Sequence, residues 1–272
     1  MKARFLLLIF VLLLSACNGM TNYEDESGPL FSGEYAPAAG PFNGTLKVVS
    51  WNIKFAEEIE AAIEALQSEP ALQNADILLL QEMDETGVEA VARALALNYI
   101  YFPASVHTHH GKNFGNAVLS RWPLSEPAKL VLPYQNPKNQ QRRIAVRAIA
   151  QVAAVPVLAY SIHTETVWLP GPMRREQVLS LVESLPPNPP HVVVGGDFNT
   201  ATDAAIVSLD ELLAEADLVR VSAGSGPTVT AAGLEFTLDH IYARDFAPLQ
   251  TGVVTDTAAS DHAAVWVGLK LP

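Results

Sequence analysis

Two apolar rhythms alternate along the chain. Leu46-Lys-Val-Val-Ser-Trp-Asn-Ile carries apolar residues on both faces of an extended segment, as a strand inside a sheet does. Ile59, Ala62, Ile63 and Leu66 then recur at helical spacing. Ala75-Asp-Ile-Leu-Leu-Leu-Gln predicts a second buried strand, and residues 88–97 a second helix. Shorter strands are predicted over 99–102, 117–120, 145–152 and 157–163, and a helix over 173–185 that stops at Pro186-Pro187. His191-Val-Val-Val-Gly-Gly-Asp reads as a strand running into a loop, where two glycines let the backbone turn tightly. Asp203 opens a helix with Ile206, Leu209, Leu212 and Leu213 on one side, and 236–242 and 263–269 predict closing strands. There is no internal repeat and no second linker. The pattern gives one α/β domain over 46–272.

The first 45 residues follow a different logic. Met1-Lys-Ala-Arg is a basic leader to an apolar run over 5–14, too short for an ordinary membrane span. Leu14-Ser15-Ala16-Cys17 then offers small residues before a cysteine, the layout of a secretory signal, and it resembles a bacterial lipoprotein lipobox. Cys17 is the only cysteine in the chain and falls at that boundary. The expectation is a signal peptide over 1–16, lipidation of Cys17, no disulfide, and export to a bacterial cell envelope with the membrane as partner. Asn18 is not the aspartate associated with inner-membrane retention, which leaves the outer membrane open. Residues 17–45, rich in Asn, Gly, Ser, Pro and acids, read as a flexible tether. Whether Leu30, Phe31 and Tyr35 dock on the domain is not decided by sequence.

Charge narrows the partners. The formal net charge is −12, and loss of the leader carrying Lys2 and Arg4 makes the remainder more acidic. Proteins that hold long nucleic acids generally present a basic stripe. A bound divalent cation can still invert the local potential, so the acidity tilts the reading toward small esters or lipid head groups.

Six polar clusters each fall where an apolar strand meets a loop: Ser50-Trp51-Asn52-Ile53, Gln81-Glu82, Ser161-Ile162-His163-Thr164, Gly195-Gly196-Asp197-Phe198-Asn199, Leu238-Asp239-His240-Ile241 and Ser260-Asp261-His262. Strand ends are where a rigid scaffold presents groups from distant sequence. Singly each is weak, because Asn and Asp often only form turns and a lone acid is usually a solvated charge. In this order, with Gly115-Asn116-Ala-Val-Leu-Ser-Arg121-Trp-Pro between them, they resemble the endonuclease/exonuclease/phosphatase superfamily of DNase I-like enzymes, over residues 48–265.

The resemblance implies a four-layer α/β/β/α sandwich of two mostly antiparallel sheets, with the site at one end. It implies Mg²⁺, with Mn²⁺ as an alternative, on Glu82 with Asn52 and Asp261 nearby. A hard cation suits such oxygen ligands, and the absence of a Cys cluster or His-x-x-x-His spacing argues against zinc. It assigns Asp197 to the attacking water, Asn199 to the phosphate or that water, and His163 to a phosphate oxygen. Asp239 and His262 become a carboxylate–imidazole pair, in which the carboxylate fixes the tautomer and raises proton affinity. Whether Asp197 or His262 is the general base stays open.

Asn116 is expected to contact substrate or support His163, and Arg143 to contact phosphate or pair at the surface. Arg174 and Gln177, three residues apart on a predicted helix, share a face and are expected to support the His163 loop. His107, His109 and His110 read as a rim loop, His240 and Trp51 as structural. The reading is a monomeric metal-dependent phosphoesterase acting on nucleic acid, a lipid head group or a small molecule, with diester and monoester both open. The rival from another class is a catalytically inactive surface-binding lipoprotein of the same fold. A serine hydrolase is set aside because no Gly-x-Ser-x-Gly elbow occurs.

Overall fold

A computed structural model describes residues 20–38, 40–108, 110–153, 155–186, 191–255 and 257–271. The expected signal segment and Cys17 lie outside the described residues, as does His109.

The strands are β1 Thr21–Asn22, β2 Phe31–Gly33, β3 Thr45–Asn52, β4 Ile77–Met83, β5 Asn98–Val106, β6 Asn113–Ser120, β7 Leu124–Val131, β8 Ile144–Val152, β9 Val155–His163, β10 His191–Asp197, β11 Val219–Arg220, β12 Val229–Ala231, β13 Leu234–Phe236, β14 Asp239–Arg244, β15 Ala247–Val254 and β16 Ala264–Lys270. The α-helices are α1 Ile59–Ser68, α2 Glu85–Leu95, α3 Gly171–Ser184 and α4 Asp203–Ala214. One sheet runs β1-β5-β6-β4-β3-β16-β15, with β2 also on β5; the other runs β11-β14-β10-β9-β8-β7. Pairing is antiparallel except for β3 with β4 and β9 with β10.

Alternation along each strand builds the layers. Leu46 and Val48, Ile77 and Leu79, Val157 and Ala159, and Ile241 and Ala243 face the core between the sheets. Their neighbours Val49, Trp51, Leu78 and Leu80 turn outward to meet α1 and α2. On the other sheet Leu158, Tyr160, Val192, Val194 and Tyr242 pack under α3 and α4. This is the expected α/β/β/α sandwich. Gly195 lets the sheets approach, because a Cβ there would lie 2.6 Å from Leu79 Cδ1. The glycine pair expected in a turn therefore lies inside β10.

Two further sequence expectations are corrected, and two strands appear that the pattern does not predict. The tether is folded from residue 20 onward, since β1 and β2 pair with β5. Tyr35 stacks on Tyr99 and donates to Glu89 Oε1 at 2.7 Å, and Lys129 Nζ donates to the carbonyls of Tyr23 and Gly28. A few aromatic contacts and backbone pairing thus order a segment of low mean apolarity. The closing strand over 236–242 is two strands, β13 and β14, broken where Leu238 O accepts from Phe198 N. Finally β7 and β15, both sheet edges with exposed positions, lack the apolar run that marks a buried strand. Among the described residues no helix is long and apolar enough to cross a membrane.

Candidate active site

The two parallel pairs carry Asn52 and Glu82, and His163 and Asp197, to one end of the sandwich. β14 runs antiparallel to β10 and so begins where β10 ends, placing Asp239 opposite Asp197. β16 runs antiparallel to β3, which brings His262, just ahead of it, to the same end. By parity Asn52, His163, Asp197 and Asp239 belong to the inward faces, so they line the mouth of the inter-sheet core. Glu82 breaks parity, because alternation would put it outward with Leu78 and Leu80. Its left-handed backbone (φ 59°) and a register irregularity after Leu80 re-aim it. Lys54, Phe55, Ala56 and Asn199 are also left-handed. Such conformations in non-glycine residues are costly and gather at functional sites.

Asn52 Nδ2 donates to Glu82 Oε1 and to Asp197 Oδ2, each at 3.2 Å. Phe55 N donates to Glu82 Oε2. Burial raises the proton affinity of Glu82, opposed by Arg143, the Asn52 hydrogen bond and His262, while Asp261 adds repulsion. For Asp197, burial and then the neighbouring Asp239 push the pKa up to about 7, against His262 and the backbone N–H of Asn199. Asn199 N donates to Asp197 Oδ1 at 2.9 Å, and its Nδ2 to Thr164 O.

His262 Nδ1 donates to Asp239 Oδ2 at 2.9 Å, and its Nε2 lies 4.0 Å from Asp197 Oδ2. Burial alone would lower its proton affinity. The charge and hydrogen bond of Asp239, helped by Asp197 and Glu82, outweigh that and take the pKa to about 10. Single ligand atoms of Asp197, Asp239 and His262 all lie within 4.8 Å of one another. Asp239 Oδ1 is buried without a hydrogen-bond partner.

His163 is 2 % exposed, with Nε2 3.4 Å from Asp197 Oδ2 and 3.9 Å from Glu82 Oε1. Arg143 Nη1 lies 3.1 Å from His163 Nδ1. A guanidinium can only donate, so Nδ1 accepts and the ring proton sits on Nε2. Burial, with the charges of Arg143 and His262, holds the ring well below its ordinary pKa, hence neutral. Arg143 is therefore not a surface pair; it lies against the histidine.

Its own counter-charge is a residue that sequence reasoning missed. Glu165 is fully buried, 3.5 Å from Arg143 Nε. It accepts from Asn136 Nδ2 and Thr166 N, while its own N–H donates to Gln177 Oε1. A lone acid in a loop ordinarily reads as solvated, and no sequence signal marks this one. Glu165→Gln is expected to lower the unfolding free energy toward the low end of the roughly 3–5 kcal/mol seen when one partner of a buried pair is removed. Urea denaturation measures it; an unchanged midpoint and slope would contradict the clamp.

The other expected residues are distributed as follows. Asn116 Nδ2 donates to the carbonyls of Ile144 and Ser161, which supports the strand that ends in His163. Gln177 is fully buried and also donates to Pro133 O; Arg174 Nη1 donates to Asn199 O. Asp261 is exposed on the rim beside His262. His240 points to the outer face and its Nε2 meets Thr200 Oγ1 at 2.7 Å, and Trp51 is core, with Nε1 donating to His262 O. His107 and His110 pack at a tilt against Phe55, and His107 also against Phe114.

Residues 49–262 match the profile described as the Endonuclease/Exonuclease/phosphatase family. The chain belongs to that family. Its members are phosphoester hydrolases. A sequence comparison with curated proteins gives no match. Among solved structures, an endonuclease/exonuclease/phosphatase family protein from Leptotrichia buccalis shares the fold at a TM-score of 0.68 and 14% identity, over 83% of this chain and 100% of that one. TDP2 from D. rerio, complexed with a single-strand DNA product, gives 0.66 and 16% over 84% and 100%. A mannosyl-6-phosphatase from Bacteroides thetaiotaomicron gives 0.65 and 19% over 82% and 99%. At these identities the likeness is one of fold.

Proposed function

We propose that the protein hydrolyses a phosphate ester with the help of a divalent cation, Mg²⁺ or Mn²⁺. The observation that carries this reading is the convergence of Glu82, His163, Asp197, Asp239 and His262 at one end of the sandwich. The donor set fits a hard cation. Three carboxylates and the Asn52 amide meet in a buried space, and the burial that raises Glu82 and Asp197 is the penalty a cation would relieve. Asp239 and His262 are already engaged with each other, which leaves Glu82 and Asn52 to hold the ion, with Asp261 at the rim. When bound, the cation supplies charge neutralisation at the phosphoryl oxygens.

The remaining roles follow from protonation. His262, held protonated by Asp239, faces the phosphate as a cation. Asp197, poised near neutrality, is then the group that takes the proton of the attacking water. Neutral His163 presents its Nε2–H toward the same space and stabilises charge as it builds. Asn199 fixes Asp197 through its backbone N–H, and Arg143 and Asn116 position His163. Water adds to phosphorus as the P–O bond to the alcohol breaks.

The test is hydrolysis of bis-p-nitrophenyl phosphate by the purified protein. Activity is expected with Mg²⁺, lost with EDTA, and restored by Mg²⁺ or Mn²⁺ in excess. Rates equal to those of a His262→Ala variant would remove the enzymatic reading.

A further inference from the structure

A groove of about 460 Å³ opens beside His262, between the β12–β13 hairpin and a wall of Thr255, Thr257 and residues 260–263. The hairpin belongs to neither large sheet, yet it is fixed to the site. Val229 forms a bridge with His262, Ala263 N donates to Thr228 O at 2.7 Å, and Thr228 Oγ1 accepts from the backbone N–H groups of Leu238 and Asp239. Its tip turns through Ala232 and Gly233, both left-handed, the two-residue geometry that matches strand twist and gives a firm hairpin. It is therefore a standing wall of the active site.

The chemistry of the groove is one-sided. Thr230, Thr255 and Thr257 offer hydroxyls, Glu235 and Asp261 offer carboxylates, and His262 is part of the lining. Among the described residues no lysine or arginine lines it. The buried cation of the site, Arg143, stands behind His163 instead. A polyanionic strand or a second phosphate entering here would meet two carboxylates, with His262 as the one cationic group of the lining and its charge already paired with Asp239. A quaternary ammonium would find no ring to face, since among the described residues no aromatic side chain other than His262 lines the groove. Hydroxyl and carboxylate walls match a neutral group that both donates and accepts hydrogen bonds.

We propose that this groove is the subsite for an alcohol group of the substrate, and that this alcohol is an uncharged polyol or sugar. The proposal rests on the phosphoesterase reading and narrows it to esters of hydroxyl-rich alcohols, either free in solution or in a lipid head group.

The test compares wild type with a Thr230→Val/Glu235→Ala double variant, neither residue being part of the reacting set. Substrates are glycerol, inositol and hexose monophosphates, vesicles of phosphatidylinositol or phosphatidylglycerol, phosphoethanolamine, a mononucleotide, and bis-p-nitrophenyl phosphate, which has no hydroxyl. The expected result is a KM raised roughly ten-fold for the preferred polyol or sugar ester, the scale of one or two lost hydrogen bonds, with bis-p-nitrophenyl phosphate kinetics unchanged. Soluble against vesicle substrates then separates the two sources. Equal losses on every substrate, or a preference for phosphoethanolamine or the nucleotide, would overturn the proposal. If wild type hydrolyses nothing, the phosphoesterase reading fails, and saturation-transfer NMR with myo-inositol, glycerol and methyl glucoside still reads the groove. Transfer lost in the double variant supports the subsite, and its absence from wild type overturns it.

Discussion

Asp197→Asn should lower kcat on a phosphate ester by about 10²–10⁴-fold, the range of a positioned acid or base, and should also flatten the pH dependence of stability. The two effects share one cause. Asp197 is 2 % exposed, and burial and Asp239 lift its pKa from 3.8 to about 7. Between those values the folded protein binds this proton and the unfolded chain does not. Stability therefore falls as pH rises from about 4 through about 7, at a limiting slope of about 1.4 kcal/mol per pH unit for one group. Above pH 7 the ionised carboxylate remains a cost to the metal-free fold, and that cost is what makes it a competent base. Asparagine keeps the shape and an acceptor for Asn199 N, but it has no proton to exchange. Urea denaturation of EDTA-treated wild type and variant across pH 4–8 gives the difference curve, in which shared contributions from Glu82 and His240 cancel to first order. A wild-type minus variant curve that stays flat, or rises with pH, would show that Asp197 is not held in this state.

Much of this site was legible because strand ends are legible. Asn52, His163 and Asp197 each close a continuous apolar run, and such a run fixes both the element and the point where it stops. The direction of neighbouring strands then decides whether ends converge, and that came from resemblance alone. Periodicity does not say that β14 and β16 run against β10 and β3, the arrangement that brings Asp239 and His262 to the same end. Glu82 shows a subtler limit. Its position was evident, but alternation assigns it the wrong face, and one left-handed residue reverses the assignment. Glu165 and the β12–β13 hairpin were not legible at all. A buried acid is recognised by its partners, here Arg143, Asn136 and Gln177, which come from three separate segments. For Asn116 and Arg143 the neighbourhood was legible and the partners were not, because sequence does not reveal which polar side chains the backbone claims first. The N-terminal segment erred the other way. Its composition argues for a tether, yet Phe31 and Tyr35 find Tyr101 and Tyr99 on β5, and two short strands suffice to pin it.

Asp239→Asn is expected to cost as much as any substitution in the site, on the order of 10⁴-fold in kcat, as when the carboxylate that fixes a catalytic imidazole is replaced by an amide. Two physical changes follow from one substitution. The asparagine amide can face His262 Nδ1 with its oxygen, preserving the hydrogen bond, or with its nitrogen, forcing the other tautomer; in neither case does it supply charge. Without that charge the burial of His262 is no longer outweighed, so its pKa drops from about 10 toward or below the ordinary 6.5. Asp197 loses its repelling neighbour, so its pKa drops too. In wild type the rate should rise as Asp197 ionises, at a pH below the metal-free value of about 7 because the bound cation favours the carboxylate, and fall at alkaline pH as His262 loses its proton. In the variant both limbs move to lower pH, the alkaline one further, so the plateau narrows and the residual optimum becomes acidic. The sign is diagnostic. If His262 acted as an unprotonated base, lowering its pKa would extend activity to lower pH and leave the alkaline side untouched. A kcat profile for both proteins at saturating Mg²⁺ between pH 5 and 10.5 distinguishes them, and an alkaline limb that does not move on substitution would transfer the base role from Asp197 to His262.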